Sequence, residues 1–73
     1  MEIEEFYIKV GLRIKEIRER KKLTQEELSE KAGISLDYLG KIEVNINNIG
    51  LIALFKIVKA LDVSFAEFFE TIV

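Results

Sequence analysis

Residues 24 to 35 of this 73-residue chain, T-Q-E-E-L-S-E-K-A-G-I-S, carry two helix starts and one helix stop in close succession. That order leaves room for little except two short helices meeting at a tight corner. Thr24 followed three positions later by Glu27 spells a capping box: the hydroxyl accepts from the Glu27 amide, and the carboxylate reaches back to the Thr24 amide. Leu28 and Ala32 then fall one turn apart on a single face, with Gln25, Glu26, Glu30 and Lys31 on the others. Gly33 ends the helix because it enters the left-handed region without a side-chain clash. Ile34 plugs the corner and Ser35 caps a second helix. There Tyr38, Leu39 and Ile42 recur at helical spacing, while Leu36, Asp37, Gly40 and Lys41 face away.

The remainder reads as three further helices, with no proline, linker or repeat between them. A first helix from about Glu4 to Lys21 turns Phe6, Val10, Ile14 and Ile17 inward. It ends in the basic run Arg18-Glu19-Arg20-Lys21-Lys22, which suits a helix C-terminus or a phosphate contact. Residues 45 to 50, N-I-N-N-I-G, read as a loop. A fourth helix directs Leu51, Leu54, Ile57, Val58 and Leu61 to the core. A fifth opens on a second capping box, Ser64 to Glu67, and carries Phe65 and Phe68. The fold class is all-α, a compact five-helix bundle in a single domain spanning residues 1–73.

At this length one core is only marginally sufficient, and there is neither cysteine nor histidine for a disulfide or a usual zinc site. Packing and dimerisation are left to supply stability. Hydrophobic residues at 49% and charged residues at 33% mark a globular chain rather than a disordered one. No apolar run is long enough for a membrane span, and the acidic start Met1-Glu2-Ile3-Glu4-Glu5 is unlike a secretory signal. A cytoplasmic location is expected. The net charge of -2 argues mildly against nucleic acid. Its distribution argues the other way: residues 1–8 hold three acids and no base, residues 9–41 hold nine bases against six acids, and residues 42–73 hold two bases against four acids. The positive segment coincides with the two-helix corner.

The pieces G-L-R-I-K-E-I-R-E-R-K-K-L-T-Q-E-E-L, A-G-I-S, K-I-E and L-F-K-I-V-K-A-L-D-V-S-F-A-E-F-F, in that order, resemble the phage-repressor/Cro family of helix-turn-helix proteins over residues 11 to 69. In length and layout the chain is similar to the controller proteins of restriction-modification systems. The resemblance implies a lambda repressor-like bundle that binds double-stranded DNA as a homodimer, with residues 36 to 43 in the major groove and a two-fold symmetric operator about 34 Å from one recognition helix to the next.

Carried onto this sequence, the resemblance places Gln25 against the DNA backbone or a neighbouring recognition side chain; a solvent-exposed helix former is the alternative. The base-reading positions correspond to Leu36, Asp37 and Lys41, with Gly40 between them. They depart from the family pattern. Leu36 offers only apolar contact with a thymine methyl, and Asp37 only accepts, as from cytosine N4; Lys41 reaches guanine or a phosphate. Asp37 equally favours the helix N-terminus electrostatically. Tyr38 either lends its hydroxyl to a phosphate or packs into the core. Asn45, Asn47 and Asn48 stand where relatives hold phosphates, although a plain turn accounts for them equally well. Arg18 and Glu43 match a partly buried ion pair that ties the first helix to the third.

Ile49, Ile52, Phe55, Phe69 and Ile72 remain as surplus apolar surface, read as a dimer seam; the alternative is that the terminal residues fold back over the core. An enzyme is the poorest class, since there is no histidine, cysteine or glycine-rich phosphate loop and the carboxylates are scattered. No cofactor, metal, membrane or small-molecule ligand is expected. The runner-up to DNA binding is an interaction module, antitoxin-like or adaptor, that has lost DNA affinity.

Overall fold

A computed structural model describes residues 1–72 as five helices: α1 (Ile3–Arg20), α2 (Gln25–Ala32), α3 (Leu36–Glu43), α4 (Leu51–Leu61) and α5 (Phe65–Phe69). No strand occurs among the described residues. The first helix begins and ends one residue earlier than its pattern suggested. Its stop is Lys22, held in the left-handed region at φ 60. There the Leu23 amide donates to the Arg18 carbonyl at 3.0 Å and the Lys22 amide to that of Glu19 at 3.0 Å. The same pair of bonds closes α2 around Gly33 (φ 70) and α3 around Asn45 (φ 59). Three helices therefore end in one kind of motif, and only one of them uses the glycine that sequence patterns advertise.

The core is formed by Val10, Ile14 and Ile17 of α1, Leu28 and Ala32 of α2, Leu39 and Ile42 of α3, Ile57, Val58 and Leu61 of α4, Phe68 of α5, and Ile72. α2 packs on α4 and α3, and α1 packs on α3 and α4. Gly11 lets α1 approach α3 closely, because a β-carbon there would collide with the Ile42 carbonyl oxygen. Backbone cannot yield as a flexible side chain would. Gly11→Ala gains roughly 1 kcal/mol of helix propensity in isolation, yet overpacking of this kind costs about 1–3 kcal/mol. A net loss in urea unfolding is the expected result; a stabilised variant would place the two helices further apart.

Four expectations are corrected. Leu51 was placed in the core but is 82% exposed. It stands in the first turn of α4, at the open end of a groove walled by Ile34, Tyr38 and Lys56, where neither α2 nor α3 covers it. The second capping box is half formed. Ser64 Oγ accepts from the Glu67 amide at 3.0 Å, but the Glu67 carboxylate accepts from Arg20 Nη2 at 3.2 Å. Phe69 and Ile72, assigned to a dimer seam, belong to the monomer. Ile72 is 3% exposed, and Phe69 is half-buried with its ring stacked 6.3 Å from that of Phe6. The turn after α5 folds back and caps the core, which was the competing account. Ile49 is half-buried, packed at the edge of the core cluster. Among the described residues no helix is long and apolar enough to cross a membrane.

Candidate nucleic-acid interface

The capping box at Thr24 forms in both directions: Thr24 Oγ1 accepts from the Glu27 amide at 3.0 Å, and Glu27 Oε1 accepts from the Thr24 amide at 2.8 Å. It fixes where α2 begins and so where Gln25 stands. Ser35 Oγ does the same for α3, accepting from the Tyr38 amide at 3.0 Å.

Beneath these helix starts lies a buried polar network. Arg18 Nε donates to Glu43 Oε2 at 2.7 Å and Nη2 to Oε1 at 3.0 Å, while Nη1 donates to the Leu23 carbonyl at 2.8 Å. Gln25 Nε2 donates to Glu43 Oε1 at 2.9 Å. One carboxylate, 1% exposed, thus joins α1, α2 and α3, and Arg18 adds the loop before α2. Among the described residues no buried side-chain nitrogen or oxygen lacks a partner. The Arg18 pKa is raised by its hydrogen bond to Glu43, against the lowering effect of burial. The guanidinium is therefore an internal strut and is not available to phosphate.

On the outer side of α3, Leu36 is 46% exposed. At Gly40 a β-carbon would meet the Gln25 amide oxygen at an ordinary contact distance of 3.7 Å. Asp37 and Lys41 occupy the adjacent row and pair with each other, Oδ2 to Nζ at 3.1 Å. Tyr38 is half-buried; its hydroxyl accepts from the Gly50 amide at 3.3 Å, which ties the loop to α3 and leaves its own O–H as a donor. In that loop Asn45 is half-buried, and Asn47 and Asn48 are exposed. None of the three makes a side-chain hydrogen bond within the described residues. The structure thus brings Gln25, Leu36, Asp37 and Lys41 onto one ridge with the asparagine loop following it. Ile52 and Phe55 lie on α4, 74% and 55% exposed.

The basic segment is less positive at the surface than along the chain. Arg13 is 5% exposed and was missed by sequence reasoning. Its Nε donates to the Phe68 carbonyl at 2.9 Å and its Nη2 to that of Glu67 at 2.7 Å, so it caps α5 from beneath. The Glu16 partner at 2.8 Å is an ordinary i, i+3 pair. The carbonyls, more than fifty residues distant, leave no trace in the sequence. With Arg13 and Arg18 internal and Lys9, Arg20 and Lys41 paired to carboxylates, only Lys15, Lys21, Lys22 and Lys31 of the segment lack a carboxylate partner among the described residues.

Comparison with known proteins agrees with this geometry. The Helix-turn-helix family profile matches residues 14–68. The immunity repressor protein of Bacillus phage phi105 is 46% identical over 54 residues, which is 74% of this chain; the chain spans only 38% of that repressor's length. The restriction-modification controller protein C.Esp1396I is 39% identical and superposes with a TM-score of 0.89, covering 92% of this chain and 88% of that one. C.Esp1396I has been solved bound to a 25 base pair operator site and as a tetramer on its natural 35 base-pair operator. The controller protein C.AhdI from Aeromonas hydrophila is 35% identical with a TM-score of 0.81, covering 86% of this chain and 96% of that one.

Proposed function

This chain belongs to the helix-turn-helix family, and from that premise we propose that it is a sequence-specific DNA-binding transcriptional regulator that acts as a cytoplasmic homodimer on a palindromic operator. The observation that carries the reading is the Arg18–Glu43–Gln25 network. It locks the start of α2 to the end of α3 and holds the outer face of α3 clear of the core. A helix intended for the major groove needs its register fixed by the scaffold, since phosphate contacts position and base contacts specify. Each subunit lays residues 36 to 43 in a groove, while Gln25 and the amides of Asn45, Asn47 and Asn48 hold phosphates. The operator complexes of C.Esp1396I support DNA as the ligand of this chain too.

The dimer seam is the exposed face of α4 and α5, where Ile52 and Phe55 stand beside Phe65, whose ring stacks 5.8 Å from that of Phe55. On this seam the two recognition helices are expected one turn of B-DNA apart, about 34 Å. Occupancy then blocks or recruits polymerase. A second reading, an antitoxin-like or adaptor module, is favoured by one observation: Lys41, the only cation on α3, is already paired to Asp37.

Selection from a random-sequence duplex pool, at low and at physiological salt, separates the two. A palindromic consensus that survives the higher salt is the expected result. Salt-sensitive, unselective binding, or none, would transfer the function to protein partners.

A further inference from the structure

We infer that Asp37 is a specificity-determining residue: it withholds Lys41 from phosphate, so that the pair engages DNA only where a base amino group and a guanine acceptor lie in neighbouring base pairs. The inference rests on the DNA-binding reading and goes beyond it. Asp37 Oδ2 and Lys41 Nζ are 3.1 Å apart, with the acid four residues before the base, the favourable order on a helix. They are the only charged side chains on the outer face of α3, because the Glu43 carboxylate is buried against Arg18. Leu36 and Gly40 beside them have no hydrogen-bonding side chain.

The outer face of α3 is consequently neutral as a unit. On DNA of arbitrary sequence it displaces no counterions, because a phosphate that attracts Lys41 repels the Asp37 carboxylate beside it. The major groove offers what phosphate cannot. A carboxylate accepts from an exocyclic amino group, cytosine N4 being its usual partner, while an ammonium donates to guanine O6 or N7. Side chains one helical turn apart are about 5–6 Å from each other at the β-carbon, within reach of adjacent bases stacked roughly 3.4 Å apart along a strand. The pair itself is exposed and weakly held, so what disfavours a wrong site is the Asp37 carboxylate left facing a phosphate or a base acceptor, not the cost of parting it from Lys41. Selectivity comes from the penalty at wrong sites, not from strong attraction at the right one.

The test compares the wild-type chain with Asp37→Asn, which keeps the side-chain shape and removes the charge. Both proteins are put through pool selection, then titrated with salt on the wild-type consensus duplex and on a scrambled duplex. The wild type is expected to select a cytosine and a guanine in adjacent pairs of each half-site. Asp37→Asn should lose that preference and bind the scrambled duplex more tightly, with a log–log salt slope steeper by about 0.9 per subunit. Its consensus-to-scrambled ratio should fall roughly tenfold. Loss of a helix-stabilising charge alone would change both duplexes by the same factor and leave the consensus intact, which overturns the inference. A wild type that selects no sequence at all would overturn the DNA-binding reading instead, and this inference with it.

Discussion

Glu43→Ala is expected to remove a large share of the protein's folding stability, although it truncates only one side chain at a helix terminus. The carboxylate is 1% exposed and accepts from Arg18 Nε, Arg18 Nη2 and Gln25 Nε2. Its removal strands a guanidinium whose side chain is 10% exposed. Breaking a buried pair in this way costs about 3–5 kcal/mol. A 73-residue domain has only about 4–11 kcal/mol in total at the usual stability per residue. The thermal midpoint should fall by tens of degrees, at about 4–8 °C per kcal/mol. Replacing both partners at once, as Arg18→Met with Glu43→Leu, should recover most of the loss, because it is the orphaned charge that is costly and not the absence of the pair. Urea unfolding of the single and the double variant checks this, and a Glu43→Ala protein within about 1 kcal/mol of wild type would mean the pair is solvated.

The pH dependence follows from the direction of the Arg18 shift. The Glu43 hydrogen bond raises the Arg18 pKa in the folded state. A cation whose folded pKa lies above its unfolded value contributes stability that is complete below the unfolded pKa and lost as pH rises through the folded one. Both values lie far into the alkaline range, so Arg18 confers no titration of stability near neutrality.

The parts of this fold that were legible from sequence are those written in local chemistry. Thr24 with Glu27, Gly33 and Ser35 each act within a turn of themselves, and the structure shows each of them at the helix end it marks. What was illegible depends on where distant segments meet. Lys22 and Asn45 close helices in the left-handed region without the glycine that would announce it. Leu51 has the spacing of a core residue but stands where no neighbour reaches, whereas Ile72 looks like surplus surface and lies in the core. Arg13 counts as a surface cation along the chain until α5 arrives above it. The Arg18 and Glu43 match came from family resemblance, and its meaning came from Gln25: the residue expected at the DNA backbone is hydrogen-bonded to the same carboxylate that anchors the fold. Stability and the placement of the recognition ridge are thereby linked, and changes at Glu43 should alter DNA binding even where folding is rescued.

Phe55→Glu is expected to abolish the dimer and, with it, operator binding, while leaving the monomer folded. Phe55 is 55% exposed and Ile52 74%, so neither is needed by the core, yet with Leu51 at 82% and Phe65 at 39% they form an apolar face larger than isolated surface residues make. In a two-fold seam the same patch serves both subunits, so one substitution introduces two carboxylates into the contact. Sedimentation should report a particle of 8.4 kDa in place of one twice that mass. Unfolding should lose its dependence on protein concentration, since no association remains to be linked to it. Each half-site must then be bound alone, which forfeits the roughly 10²–10⁴-fold gain of a tethered pair. A control distinguishes this seam from the molecule's other exposed apolar surface. Ile8 and Leu12 of α1 flank Val44 beside a shallow groove, at 44%, 56% and 63% exposure. If Leu12→Glu dissociates the protein and Phe55→Glu does not, the seam lies on α1. The two recognition helices would then be carried on a different axis, and the spacing of the operator half-sites would follow that axis instead.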